Sequence, residues 1–304
     1  MMKNAFINFV LLLVIFPFTM SCDKDDEAVC LLTKLIFSYS YEYHGEVSSY
    51  SDSVNFEYDS NNRLVKFGND EYYNIMIYDA GGKLIRIEDQ DGDYELFTWD
   101  GNTVTSQYFR IEDGLEHPST SKTVIYLNNK NEIIKVERYS LREENWVLRS
   151  YLIFTWQNSN VSLAEFYYPV TFAKNSIDDL KSYKGLLFNR EAISKKEITD
   201  DFPVNLGKQS DEFVIQYSVN YTYDNYKNPF WPLEALKLTG YSVELLSRNN
   251  VITSSDTDES EEDTWVETYT YEYNDKNYPT KRIFVYEEND ESDTHIMEFF
   301  YECE

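Results

Sequence analysis

The chain has 304 residues, and 27 Lys plus Arg stand against 54 Asp plus Glu, a formal net charge of -27 at neutral pH. Such a surface repels phosphate backbones and anionic membrane faces, so nucleic-acid binding is the first class excluded. With 27 Tyr and 19 Phe but only 10 Gly, the composition also excludes disorder, collagen-like repeats and flexible linkers. It is that of an ordered, strand-rich, acidic protein.

Residues 1–21 read as a removable export signal. Lys3 precedes an apolar stretch at residues 9–18, half the length of about 20 that a spanning helix needs. Losing Lys3 leaves 26 basic against 54 acidic residues, a mature net charge of -28. Thr19-Met20-Ser21-Cys22 resembles the lipobox of bacterial lipoproteins. The resemblance implies that the Cys22 thiol receives a diacylglycerol, that the chain is cut before it, and that the new amine is acylated. One acyl chain binds a membrane only marginally, whereas three make a firm anchor. The following Lys24, Asp25 and Asp26 resemble the acidic tag that sends lipoproteins to the outer face of the outer membrane in one large group of Gram-negative bacteria. They serve equally as a spacer. Residues 22–31 are thus an acidic tether, and residues 32–304 a single β-domain.

Cys30 and Cys303 remain, in an oxidising compartment. If they are joined, the first and last strands must touch, and loop entropy puts the benefit at roughly 5 kcal/mol. Two unpaired thiols are the alternative.

A hairpin unit recurs along the chain. Tyr58-Asp59-Ser60-Asn61-Asn62-Arg63-Leu64 is followed by Tyr78-Asp79-Ala80-Gly81-Gly82-Lys83-Leu84, with degenerate copies beginning at Trp99, Tyr126, Trp156, Tyr223 and Tyr273. Each ends a strand on an aromatic, turns through Asp, Asn or Gly, and resumes on an aliphatic residue. Those turn residues tolerate the positive φ of tight hairpins. Two strands per period predict an all-β antiparallel meander of long hairpins, forming a curved or barrel-like sheet. Period-two alternation supports this: Leu35, Phe37, Tyr39, Tyr41 and Tyr43 share one face, as do Phe213 to Tyr223 at odd positions and Trp265, Glu267, Tyr269, Tyr271 and Tyr273. Helix is expected only within residues 172–203. The acidic runs at 256–263 and 287–293 read as solvated hairpin tips.

The turn unit resembles the YD repeats of large bacterial surface and toxin-shell proteins, without their many tandem copies. Asn228-Pro229-Phe230 and the closing run from Tyr269 to Lys281 resemble the C-terminal hairpins of a family of bacterial lipoproteins with a porin-like β-fold and no assigned function. Asn277 stands where members of that family often carry Gly. The resemblance implies a β-domain over most of the mature chain and carries no catalytic residue with it.

Residues that might carry chemistry are sparse. His44, His117 and His295 lie far apart without ligand spacing, so no metal site or catalytic triad is expected. The alternating carboxylates from Asp89 to Glu95 fit a hairpin tip at Asp91-Gly92 better than a calcium loop. The aromatic rows serve first as a cross-strand core, and second as a platform for sugar rings or a partner's apolar surface. Phe230 and Trp231, between Pro229 and Pro232, are the ligand-contact candidates, because two prolines suggest a rigid exposed loop. Asp52-Ser53-Val54 resembles a short acceptor motif for O-glycosylation at Ser53. No cofactor is implied.

A spanning barrel needs an outward apolar band with aromatics confined to its two ends. Tyr39, Tyr41, Tyr43 and Tyr269, Tyr271, Tyr273 run along whole faces instead. The expectation is therefore a domain that does not cross the bilayer: a surface-anchored, non-enzymatic binding or structural module, facing glycans or another surface protein. The alternative is a glycan-binding or glycan-hydrolysing component of a polysaccharide uptake system.

Overall fold

The computed structural model describes residues 30–43, 46–169, 213–256, 266–288 and 291–303. Those residues form sixteen strands: β1 (Cys30–Tyr43), β2 (Glu46–Tyr58), β3 (Leu64–Gly68), β4 (Tyr73–Tyr78), β5 (Leu84–Asp89), β6 (Tyr94–Asp100), β7 (Thr103–Glu112), β8 (Leu115–Leu127), β9 (Ile133–Arg142), β10 (Asn145–Gln157), β11 (Asn160–Pro169), β12 (Phe213–Tyr223), β13 (Val251–Asp256), β14 (Val266–Tyr273), β15 (Pro279–Glu288) and β16 (Glu291–Cys303). Each pairs antiparallel with its sequence neighbours, and β1 pairs with β16 from Cys30↔Cys303 to Tyr43↔Glu291, so the meander closes into a barrel. A disulfide joins Cys30 to Cys303 across this seam, with Cα atoms 4.0 Å apart.

The turn chemistry explains the repeat. Asp59, Asp79, Asp89, Asn128 and Asn274 each open a turn and accept two backbone N–H groups through one side-chain oxygen, as in Asn61 and Arg63 N–H to Asp59 Oδ1 at 2.9 and 3.0 Å. The residue three further on takes positive φ, and it is Asn62, Gly82, Gly92, Asn131 and Asn277 in turn. Asn277, at φ 65, does without glycine there.

The aromatic residue before the turn points into the barrel and donates to a carbonyl near the start of an earlier strand. Tyr58 Oη bonds Leu32 O at 2.8 Å, Tyr78 bonds Leu64 O at 2.6 Å, Trp99 Nε1 bonds Leu84 O at 2.8 Å and Trp156 Nε1 bonds Ile133 O at 2.8 Å. Tyr223 on Val161 O, Tyr271 on Val251 O and Tyr301 on Pro279 O extend the ring. One end of the barrel is thus cross-laced by aromatic hydrogen bonds.

The two faces of the wall differ in polarity. Leu35, Val54, Phe56, Met76, Ile87, Phe97, Val104, Ile125, Val136, Leu152, Phe154 and Ala164 are buried and face inward as one cluster. Outward, Glu57 pairs with Lys66 at 3.2 Å, Arg86 with Glu88 at 2.6 Å and Lys135 with Glu137 at 2.6 Å. Tyr126 and Tyr139 also donate to Glu137, each at 2.6 Å. Burial works against ionisation of Glu137, but the bonds from Lys135, Tyr126 and Tyr139 outweigh it and hold its pKa below the ordinary value. Ser38 on Ser51 and Thr222 on Thr253 continue the polar outer surface. Exposed Ile75, Ile77 and Leu96 stand singly among these charges, paired with Lys66, Arg86 and Glu88 rather than with one another.

The long tyrosine faces therefore point inward. Tyr269 and Tyr271 lie on the same face as Arg282, and Tyr39 lies on the face of Leu35 and Phe37. The outer face carries the charged pairs above rather than these tyrosines.

Candidate functional site

Between β12 and β13 the chain leaves the laced end, forms α1 (Glu234–Gly240) and α2 (Val243–Leu246), and returns. This insert fills the barrel. Phe230, Leu233, Ala235, Leu236, Leu238, Val243, Leu245 and Leu246 join the same core cluster as the inner wall. Phe230 packs edge-on against Phe299 of β16, with ring centres 5.9 Å apart. On the other side, Ser247 Oγ accepts from Val161 N–H of β11 at 3.2 Å and contacts Tyr223 Oη at 2.9 Å. Asn228 Nδ2 donates to the Glu244 and Ser247 carbonyls at 2.5 and 2.7 Å and so ties the insert to itself.

A buried ion pair fixes the plug to β15. Arg282 Nη1 reaches Glu244 Oε1 at 2.9 Å, and the arginine is only 9 % exposed. Burial opposes the Arg282 charge, but Glu244 and the Tyr271 and Tyr269 phenols keep its pKa above the ordinary value. Beneath this pair lies a cavity of about 10 Å³, lined by Asn228, Phe230, Glu244, Tyr271, Arg282 and Phe299. That is room for about one water.

The inner tip of the plug is Tyr241, in left-handed conformation at φ 48 after Gly240. A non-glycine residue there costs on the order of 1 kcal/mol. Hydrogen bonding to Ser106 and Thr123 holds the phenol beside Glu95 and Arg138 of the facing wall. Burial raises the Tyr241 pKa, and it pushes the Glu95 carboxyl up to about 7, partly opposed by the Ser106 hydrogen bond. These residues meet where the tip of the plug touches the wall. Tyr269, Phe284, His295 and Tyr39 form a row of rings across β14, β15, β16 and β1, with successive ring centres 5.3, 5.5 and 4.8 Å apart. Desolvation among those rings lowers the His295 pKa, against the pull of Asp293, although the imidazole also meets solvent.

Several sequence expectations meet this geometry. Phe230 is 2 % exposed and belongs to the core, so the proline-flanked loop lies inside the barrel rather than on its surface. Trp231 is half-buried under Lys237, whose Nζ sits 3.7 Å from the ring centre and 2.7 Å from Glu234. Ser53 lies on β2 and is partly buried. Asp89 to Asp93 form an Asx turn, and the described residues contain no metal-holding group of His, Cys, Asp or Glu. His117 is exposed on β8, far from the His295 wall. Cys22, Lys24, Asp25, Asp26, His44 and the helix expected within 172–203 lie outside the described residues. The plug was not anticipated: its first helix has seven residues, too short for periodicity to reveal, and Leu233, Leu236 and Gly240 were its only signals.

No family model matches the chain, and no curated protein matches it. Among solved structures, it is similar to a porin-like protein from Bacteroides uniformis ATCC 8492 at 11% identity, covering 89% of this chain and 98% of that one with a TM-score of 0.39. A porin-like protein from Bacteroides vulgatus ATCC 8482 is similar at 9% identity, covering 90% and 99%, with a TM-score of 0.47. A chain of the TcdB2–TccC3–Cdc42 complex is similar at 8% identity, covering 84% of this chain and 15% of that one, with a TM-score of 0.23. The superpositions are loose; the described residues of this chain form a closed antiparallel barrel of sixteen strands whose interior holds the plug between β12 and β13.

Proposed function

We propose that the protein is an outer-membrane lipoprotein whose barrel stands in water on the cell surface, anchored through acylated Cys22, and acts as a non-enzymatic binding or structural module. The observation that carries this reading is the polarity of the wall. A lipid-facing Lys or Arg at the bilayer midplane costs about 2 to 4 kcal/mol. Lys66, Arg86 and Lys135 face outward two residues from the laced end and Lys122 lies further along the wall, all on strands whose opposite face is core, so insertion would set these cations and their carboxylate partners against lipid at a cost that grows with depth. The inner face, which a porin fills with water, is occupied by hydrocarbon and the plug.

The test is purification of the mature chain carrying Cys22→Ser. A monodisperse species in detergent-free buffer, silent in planar bilayers, is expected. A requirement for detergent together with ion conduction would replace the reading with a pore. The anchor is tested separately by fatty-acid-analogue labelling, which Cys22→Ala should abolish. The aromatic row Tyr39, His295, Phe284 and Tyr269 favours a second reading, in which these rings stack sugar rings. Retention on a glycan array with no hydrolysis would support it, and turnover of a retained glycan would make the protein an enzyme.

A further inference from the structure

The barrel rim is uneven, and one strand stands clear of its neighbour. β2 has 13 residues and pairs with β1 along its whole upper length, from Glu46↔Tyr43 to Asn55↔Lys34. β3 has five residues and covers only Asn55 to Tyr58. Residues 46–54 therefore have a strand partner on one side alone among the described residues.

Alternation along an antiparallel strand turns every second residue's N–H and C=O toward each side. The Ser53 N–H donates to Asp52 Oδ1 at 2.7 Å instead of to β1, which places it on the open side but already satisfied, and by alternation Ser51, Ser49 and Val47 turn their backbone groups to that same side. Val47 is 65% exposed. Native edge strands are blunted by Lys, Pro or a bulge. This stretch, Val47-Ser48-Ser49-Tyr50-Ser51-Asp52-Ser53, contains neither residue, and its register with β1 is unbroken.

Beside the edge lies a cleft of about 320 Å³ lined by Tyr50, Asp52, Asn69, Asp70, Glu71 and Tyr72. Asp52 is held in place by neutral donors only, Tyr50 Oη at 2.9 Å, Ser53 N–H at 2.7 Å and Asn69 Nδ2 at 3.4 Å. The lining carries three carboxylates and no Lys or Arg.

We propose that the Val47–Ser53 edge of β2 docks an extended, basic polypeptide strand of a partner protein, added to the sheet by main-chain hydrogen bonds. Backbone pairing supplies affinity, and the flanking cleft supplies selection. On an added strand, side chains at alternate positions share the face of Tyr50 and Asp52, so the fitting sequence carries Lys or Arg at every second residue. A second copy of this chain is disfavoured, because edge-to-edge pairing would bring the Asp52 clefts of two strongly acidic molecules together. Tyr50 and Asp52 share the inward face of Tyr39 and Phe37, and the inference is independent of the lipid anchor.

The probe is an eight-residue peptide of alternating Lys and Val, titrated by fluorescence anisotropy against the mature chain carrying Cys22→Ser. Binding that weakens with salt is expected. Ser51→Pro removes an N–H from the open side only, a place where an edge strand tolerates proline, and should weaken binding at least tenfold with the circular dichroism spectrum unchanged. The same peptide N-methylated at alternate backbone positions, and a Glu/Val counterpart, should not bind. Asp52→Asn together with Glu71→Gln should weaken the Lys/Val peptide while sparing the fold. The proposal is overturned if the Lys/Val peptide does not bind. It is equally overturned if Ser51→Pro and the N-methylated peptide bind like their parents, which would mean charge attraction alone. Sedimentation showing a dimer that Ser51→Pro dissolves would assign the edge to a second copy.

Discussion

Glu95 should make the stability of the barrel fall as pH rises, and Glu95→Gln should remove that dependence. The carboxyl lies on the inner wall, opposite Ile87 of β5 and Tyr108 of β7, and burial raises its pKa from 4.5 to about 7 while the Ser106 hydrogen bond pulls the other way. Between those two values the folded chain holds a proton that the unfolded chain has released. Its contribution is therefore fully present below about pH 4.5 and lost as pH rises through about 7. At 1.36 kcal/mol per pH unit the ionised form costs the fold about 3 kcal/mol, and the partial exposure of Glu95 screens this toward about 2. Glutamine keeps the shape and the acceptor for Ser106 without the charge. Urea melts of both proteins from pH 5 to pH 8 isolate the group, because every other carboxylate cancels in the difference. The variant should be about 1 kcal/mol more stable at pH 5 and about 2 to 3 kcal/mol more stable at pH 8. A difference that stays flat across this range would refute the placement of Glu95 in a low-dielectric interior.

Other outcomes follow from the same geometry. Cys303→Ser opens a loop spanning 273 residues and should lower unfolding free energy by about 5 kcal/mol, read by denaturant melts under non-reducing conditions. Arg282→Met leaves Glu244 buried without its cation and should cost about 3 to 5 kcal/mol, while Arg282→Met with Glu244→Leu should recover most of it. Tyr78→Phe removes one bond of the laced end, and a loss near 1 kcal/mol in chemical denaturation is expected, against little effect for an exposed control such as Tyr226→Phe.

Local features of the fold were legible in the sequence. The Asx turns at Asp59 and Asp79 and the alternating faces of residues 35–43 and 213–223 are written in neighbouring residues, because hairpin geometry is set over a few positions. Closure was legible only through Cys30 and Cys303, whose pairing requires β1 to meet β16, since an open sheet has the same alternation. Inward and outward faces could be separated but not assigned from tyrosine alone, because a phenol suits both a wet edge and a core. The plug was hidden by its brevity, and Phe230 misled because prolines beside aromatics suggest a surface loop wherever the loop sits. The free edge of β2 is a mismatch between strands of 13 and five residues. Composition carries no trace of it, and it becomes visible only once both registers are known.

The seam between the first and last strands also gives the molecule a direction. β1 starts at Cys30, level with the laced end where Leu32 O receives Tyr58, and climbs to Tyr43 at the rim. An anchor at Cys22 lies eight residues before Cys30, a span of at most about 28 Å even when fully stretched. Were Cys22 acylated, the stoppered end would face the headgroups and the opposite rim would face away from them. Moving the acylation point to the chain's other terminus would leave this compass bearing unchanged, because the disulfide holds both termini at the same pole.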